Sequence, residues 1–389
     1  MNGTSPRPTN QIKPPVLTLT RAMYLSRIGI IFGLIMLILL LGGKIGFDTF
    51  NNYLQNQRCL QPEPLQRIYE YLPPLNFPSN PTLSRPLNYT LALGGVSNTD
   101  RSGAPLLPVL GPKDVTIRVY QVESPASSLQ AEEQVKQIAA TLGFTSDPEI
   151  IDSENYRYQS GSDTLEINKK NLHLKYQSNF LNNNELLNQP GKTLPTNAEA
   201  TALVKGILAN VGLLPDDVAS PSARVTPVKV VGSNVVEANS VAEADFLEVI
   251  LYRMPLEKQT FDERCQPLTQ TYEYFSPAGV GSEIHAIVAR TWTNDNIVVQ
   301  LTNSYHQINP DNYAVYSTRS LERAWTALVS GEAHIVKAGD NVDTAIITNI
   351  QLGYYVGGDQ NYVQPIFVFT GSGGFEAYVS AISEAEIGL

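Results

Sequence analysis

Apolar residues recur at helical spacing in three places. Over 129–142, Ala131, Val135, Ile138 and Leu142 share one face, and Gly143 supplies a stop. Thr196-Asn197-Ala198-Glu199 makes a capping box behind Pro195, and Leu203, Ile207, Leu208 and Val211 follow before Gly212. Leu321, Ala324, Trp325 and Leu328 stand at i, i+3, i+4 and i+7, with Gly331 closing the third helix. Strand patterns lie between them, over 115–119, 172–176, 247–251, 284–288, 297–301, 345–355 and 364–369. Amphipathic helices need a surface to cover, and strands with one apolar face offer it. The expected fold class is therefore α+β, with repeats of one helix packed on a small antiparallel sheet.

One stretch has no period because nothing in it is polar. From Ile28 to Gly43 every side chain is apolar or absent, and continuing to Phe47 gives about 20 residues, or ~30 Å of helix. The insertion scale gives its Ile, Leu and Phe residues roughly -5 kcal/mol in lipid, more than one edge Lys costs. This predicts a single transmembrane helix over 28–47, with Ile28, Ile31, Leu34, Leu37 and Leu41 in the bilayer. Gly29 and Gly33 form a Gly-x-x-x-Gly face for packing on another helix. A cleaved signal peptide is the alternative, but no small-residue cleavage site follows.

Charge adds an orientation. Before Asp48 stand Arg7, Lys13, Arg21, Arg27 and Lys44 with no acid, although the 389 residues carry 27 basic against 37 acidic side chains, a net of -10. The positive-inside rule puts the N-terminus in the cytoplasm and the C-terminal domain outside the cell membrane. The acidic remainder excludes nucleic acid as a partner. The expected organisation is a cytoplasmic tail (1–27), the anchor (28–47), a Pro-rich juxtamembrane stalk (48–112) and two α+β regions (113–256 and 257–389). Cys59 and Cys265 each follow an Arg and precede Gln-Pro and Tyr-Glu-Tyr. They are either a disulfide in an oxidising compartment or two unpaired thiols.

The C-terminal pattern is the most distinctive. Ala324-Trp325, Leu328 and Gly331 precede Leu352-Gly353-Tyr354-Tyr355, then Pro365-Ile366-Phe367-Val368-Phe369 and Ala377-Tyr378-Val379. This resembles the YycH/YycI regulators, related in fold to PepSY-type helix–strand modules. The resemblance implies a membrane-anchored, non-catalytic protein whose exterior domain associates with a sensor kinase or a homologous regulator.

No catalytic residue, metal site or cofactor motif stands out. His173, His285, His306 and His334 have no second ligand at metal spacing, and His173 alternates with Leu172 and Leu174 so as to face solvent. Gly353 to Gly358 mimics a dinucleotide fingerprint without its strand–helix context. What remains is a Tyr-rich loop: Tyr354, Tyr355, Asp359 and Tyr362 either present contact area to a partner or complete a small core beside Trp325. The expected function is binding of an envelope protein partner to regulate signalling. The rivals are a glycan-binding module, an envelope enzyme and a structural spacer.

Overall fold

The computed structural model describes residues 30, 63–79, 88–95, 116–123, 128–187, 193–219, 223–261, 266–277, 279–280, 283–291, 293, 295–339, 344–358 and 360–388. The chain divides into one unit of Met1–Gln61 with Thr260–Leu268 and another of Pro62–Gln259 with Thr269–Leu389. The second unit carries two nine-stranded sheets.

The first sheet is built on two long antiparallel strands, Thr344–Tyr355 and Tyr362–Gly371. Each is shared along its length between two outer partners. Thr344–Tyr355 pairs in parallel with Asn88–Leu91 near its start and with Tyr274–Ser276 near its end. Tyr362–Gly371 pairs with Thr116–Val122 through Tyr362 and Val363, then with Glu376–Ser380 from Ile366 onward. Pro365, with no N–H to donate, stands where the outer partner changes. Gly353 allows the close approach of Tyr274–Ser276, because a Cβ there would meet the Phe275 ring at 2.3 Å. Helix Leu321–Ser330, closed by left-handed Gly331, buries Leu321, Ala324, Ala327 and Leu328 against one end of this sheet.

The second sheet is antiparallel throughout. Its strands run Glu149–Ile150, Asn155–Ser160, Asp163–Asn168, Leu174–Gln177, Asn296–Asn303, Ile284–Arg290, Phe246–Leu251, Ala223–Val231 and Asn234–Glu237. Helices Ser128–Thr141 and Asn197–Asn210 share one core with it, setting Val135, Ile138, Val204 and Leu208 among Leu165, Leu247, Val249 and Val288. The Thr196–Glu199 capping box forms as the sequence predicts. Alternate residues Phe246 and Ile287 belong to a separate cluster with Phe180 and Leu186.

Three expectations need correction. The fold is not a series of helices on small sheets: strand far outweighs helix among the described residues, and most of it is gathered into two nine-stranded sheets. Local alternation finds strands but does not encode pairing between strands far apart, such as Tyr89 with Ala345. The single-pass, transmembrane reading is corrected as well. No helix among the described residues is long and apolar enough to cross a membrane. Of the anchor residues only Ile30 is described, while Ile28, Gly29, Ile31, Gly33, Leu34, Leu37 and Leu41 lie outside the described residues. Third, residues 63–79 are not a stalk. Leu72 is fully buried, its N–H donates to the Glu386 carbonyl, Gln66 bridges Val315, and Phe77 stacks on His334. Prolines exclude helix here, but an extended strap satisfies its backbone against the body equally well.

The region boundary expected at 256/257 falls at the first residue of strand Leu256–Phe261. The sheets are interleaved in sequence instead: the chain passes between them four times, after Val122, Leu251, Val280 and Asn303.

Leu72→Ala tests the strap. A buried Leu replaced by Ala costs about 2–5 kcal/mol, so the denaturant midpoint should fall markedly, whereas a stalk residue would leave it in place.

A candidate binding cleft beside a buried ion network

Three of the four inter-sheet crossings converge on one group of buried charges. Arg253 follows strand Phe246–Leu251, Glu283 opens strand Ile284–Arg290, and His306 leads into strand Ile308–Ser317. All three side chains are 3–4% exposed. Burying a charge is tolerable only with partners, and each of these has several.

The Arg253 guanidinium donates from Nε to Asp217 Oδ2 at 3.0 Å and from Nη1 to Glu283 Oε2 at 3.3 Å. Nη1 also donates to the His306 carbonyl at 3.2 Å, and Nη2 to the Tyr305 hydroxyl at 3.1 Å. Its planar face lies 3.8 Å from the Tyr274 ring centre and 4.5 Å from that of Tyr305. Arg suits this position because a rigid fork can satisfy carboxylates while stacking on aromatic faces. The Tyr305 hydroxyl in turn donates to Asp217 Oδ1 at 2.8 Å.

Glu283 faces the other side. Its Oε1 accepts the His306 backbone N–H at 3.0 Å and lies 3.1 Å from His306 Nδ1. Nε2 of the same ring lies 2.9 Å from the Gly358 carbonyl. Burial pushes the Glu283 carboxyl up, but Arg253 and His306 outweigh it and hold the group below its ordinary value of 4.5. Burial likewise pushes Arg253 down, and Glu283 with the two tyrosines and Asp217 overcomes that. Two carboxylates thus surround the Arg253 charge, with His306 on the far side of Glu283.

This network forms part of the wall of a cleft of about 910 Å3. Arg253, Asp217, Tyr274 and Tyr305 supply its charged and aromatic side, and Leu213, Leu214, Pro255 and Ile308 an apolar side. Glu123, Asp216 and Glu257 add carboxylates, so acids outnumber bases among the charged residues of the lining. His173, expected on solvent, is half-buried here: its Nε2 donates to the Tyr305 carbonyl at 3.2 Å, and its ring meets His306 edge-on at 4.8 Å.

The residues singled out by sequence lie elsewhere. Tyr354 and Tyr355 are buried at 1% and 0%, so they offer no contact surface. Tyr354 packs against Tyr120 and Tyr272 and donates to the Arg118 carbonyl, while Tyr355 meets Phe77 and Tyr378. The cause is the shared strand: Tyr274–Ser276 and Tyr362–Gly371 flank them on both sides. Tyr362 is half-buried beside Tyr69. Asp359, Cys59 and Cys265 lie outside the described residues. Sequence reading missed Arg253, Glu283 and His306. The available signal was a charged residue next to the end of a mostly apolar strand, as in Leu247-Glu248-Val249-Ile250-Leu251-Tyr252-Arg253 and Glu283-Ile284.

Compared with known proteins, the chain matches no family model, no curated protein and no solved structure.

Arg253→Ala strands the Glu283 carboxylate among fewer partners. It should destabilise the protein by roughly 3–5 kcal/mol in a denaturant titration, with Glu283→Gln in the same chain restoring part of the loss.

Proposed function

We propose that this chain is a non-catalytic binding protein whose inter-sheet cleft takes a basic, apolar-flanked segment of a protein partner. The observation that carries this reading is the lining of the cleft. Asp217 is already committed to Arg253 at 3.0 Å, whereas Glu123, Asp216 and Glu257 add acidic charge beside apolar surface. A partner segment carrying Lys or Arg between apolar residues complements both features. One wall is held by the ion network, so that side of the cleft is formed before anything enters it, which favours affinity.

The resemblance of the C-terminal pattern to the YycH/YycI regulators supports a regulatory setting, in which the partner is an envelope signalling protein such as a sensor kinase. A glycan platform built on Tyr354 and Tyr355 has no support, since neither ring is accessible.

Peptide selection on the full chain tests the proposal. Retained peptides should be basic with apolar flanks, should bind more weakly at high salt, and should lose at least about tenfold in affinity on Glu123→Lys with Glu257→Lys. Selected peptides indifferent to that charge reversal would remove the cleft from the account.

A further inference from the structure

His306 has an acceptor at each ring nitrogen. The Gly358 carbonyl can only accept, so Nε2, 2.9 Å away, carries a proton. The Glu283 carboxylate, which also accepts the His306 backbone N–H and lies 3.3 Å from Arg253 Nη1, accepts from Nδ1 at 3.1 Å. A neutral imidazole has one N–H and satisfies one of these partners, while an imidazolium satisfies both.

The two partners belong to different sheets. Glu283 opens a strand of the second sheet, and Gly358 lies between the two long strands of the first, with φ +63°. That same connection holds the end of strand Thr116–Val122, because the Val122 N–H donates to the Asn361 carbonyl at 2.9 Å. We propose that His306 is a proton-operated clasp: as imidazolium it ties the Gly358 connection of the first sheet to the Glu283–Arg253 network, and on losing its proton it lets one side go.

The charged and titratable groups that face His306 among the described residues are few. Glu283 comes from the strand start, and Arg253, whose Nη1 donates to the His306 carbonyl, from the crossing after Leu251. His173, just before strand Leu174–Gln177, meets the ring edge-on. Asp217, Tyr274 and Tyr305 act through Arg253, which they surround. Burial pushes the His306 ring down, but Glu283 and the Gly358 carbonyl outweigh that and hold it above the ordinary value of 6.5. The stabilisation from this raised group is therefore complete below pH 6.5 and is lost as pH rises through the folded-state value. The Glu283 carboxylate, held below 4.5, contributes stability above that pH and loses it as pH falls through its own depressed value. The clasp is closed between those two limits. It stands on the geometry of the ring and does not require the cleft to bind anything.

Nitrogen-15 NMR of the histidine rings in the full chain, run from about pH 5 to 9, reads the proton directly. At pH 6.5 both nitrogens of His306 should be protonated, with a midpoint above it. Hydrogen exchange at His306 and Val122, whose amides donate to Glu283 Oε1 and to the Asn361 carbonyl, corrected for intrinsic base catalysis, should lose about tenfold in protection across that midpoint. His306→Gln, which keeps a donor without a charge, should show no such step. A ring already neutral at pH 6.5, or protection that is flat through the His306 midpoint, overturns the proposal. The wild-type titration alone decides it should the variant fail to fold.

Discussion

A guanidinium with 3% of its side chain exposed must be neutralised from several directions at once, and the structure depends on how this is done for Arg253. The apolar clusters do not span the junction alone: one joins the two long helices to the second sheet, and others line the first sheet. Where the chain passes from one sheet to the other, charge and aromatic faces take over from apolar packing. Asp217, Glu283 and the carbonyl of His306 arrive from separate segments, and all must be present for the Arg253 charge to be tolerated. Non-directional apolar contact would accept many orientations of these crossings. A fork with fixed donor directions accepts far fewer.

The same logic recurs further along the first sheet. Arg118 donates to both oxygens of Glu63 at 3.1 Å, Lys258 reaches Glu63 at 2.8 Å, and the Arg118 guanidinium lies 3.9 Å from the Tyr313 ring centre. Glu63 begins the described part of the strap, so a half-buried ion group fastens the strap as a buried one fastens the crossings. Between the two lie Tyr120, Tyr272, Tyr274 and Tyr354 in edge and tilted contacts. Tyrosine suits this layer because its ring joins the apolar core while its hydroxyl can answer a backbone carbonyl, as Tyr354 does at Arg118.

What could be read from the chain follows from the range of each interaction. The helices were legible because caps, glycine stops and 3.6-residue periods are local: Thr196 with Glu199, and Gly331 after Leu328. Strands with strong local alternation or apolar runs, such as Phe246–Leu251 and Thr344–Tyr355, were legible for the same reason, whereas Asn155–Ser160, Ala223–Val231 and Ile308–Ser317 were not. Sheet membership was not, since Asn88–Leu91 pairs with a strand some 250 residues later and Ile284 is hydrogen-bonded between Leu251 and Asn303. The Tyr354-Tyr355 pair could be read as surface or core, and only the flanking strands decide for burial. Arg253, Glu283 and His306 were illegible as a group, because no spacing links residues that meet only after two sheets have formed.

The cleft and the joint share side chains. Arg253, Asp217, Tyr274 and Tyr305 hold the crossings and also form one wall of the cleft, with His173 linking that wall to His306. Anything that shifts the Arg253 fork therefore changes both the fit of the two sheets and the lining seen by an occupant. An occupant bearing a cation near Asp217 would in turn compete with Arg253 for the same oxygens. Linkage requires that effect to be mutual: a joint whose geometry tunes the cleft is itself tuned by what the cleft holds.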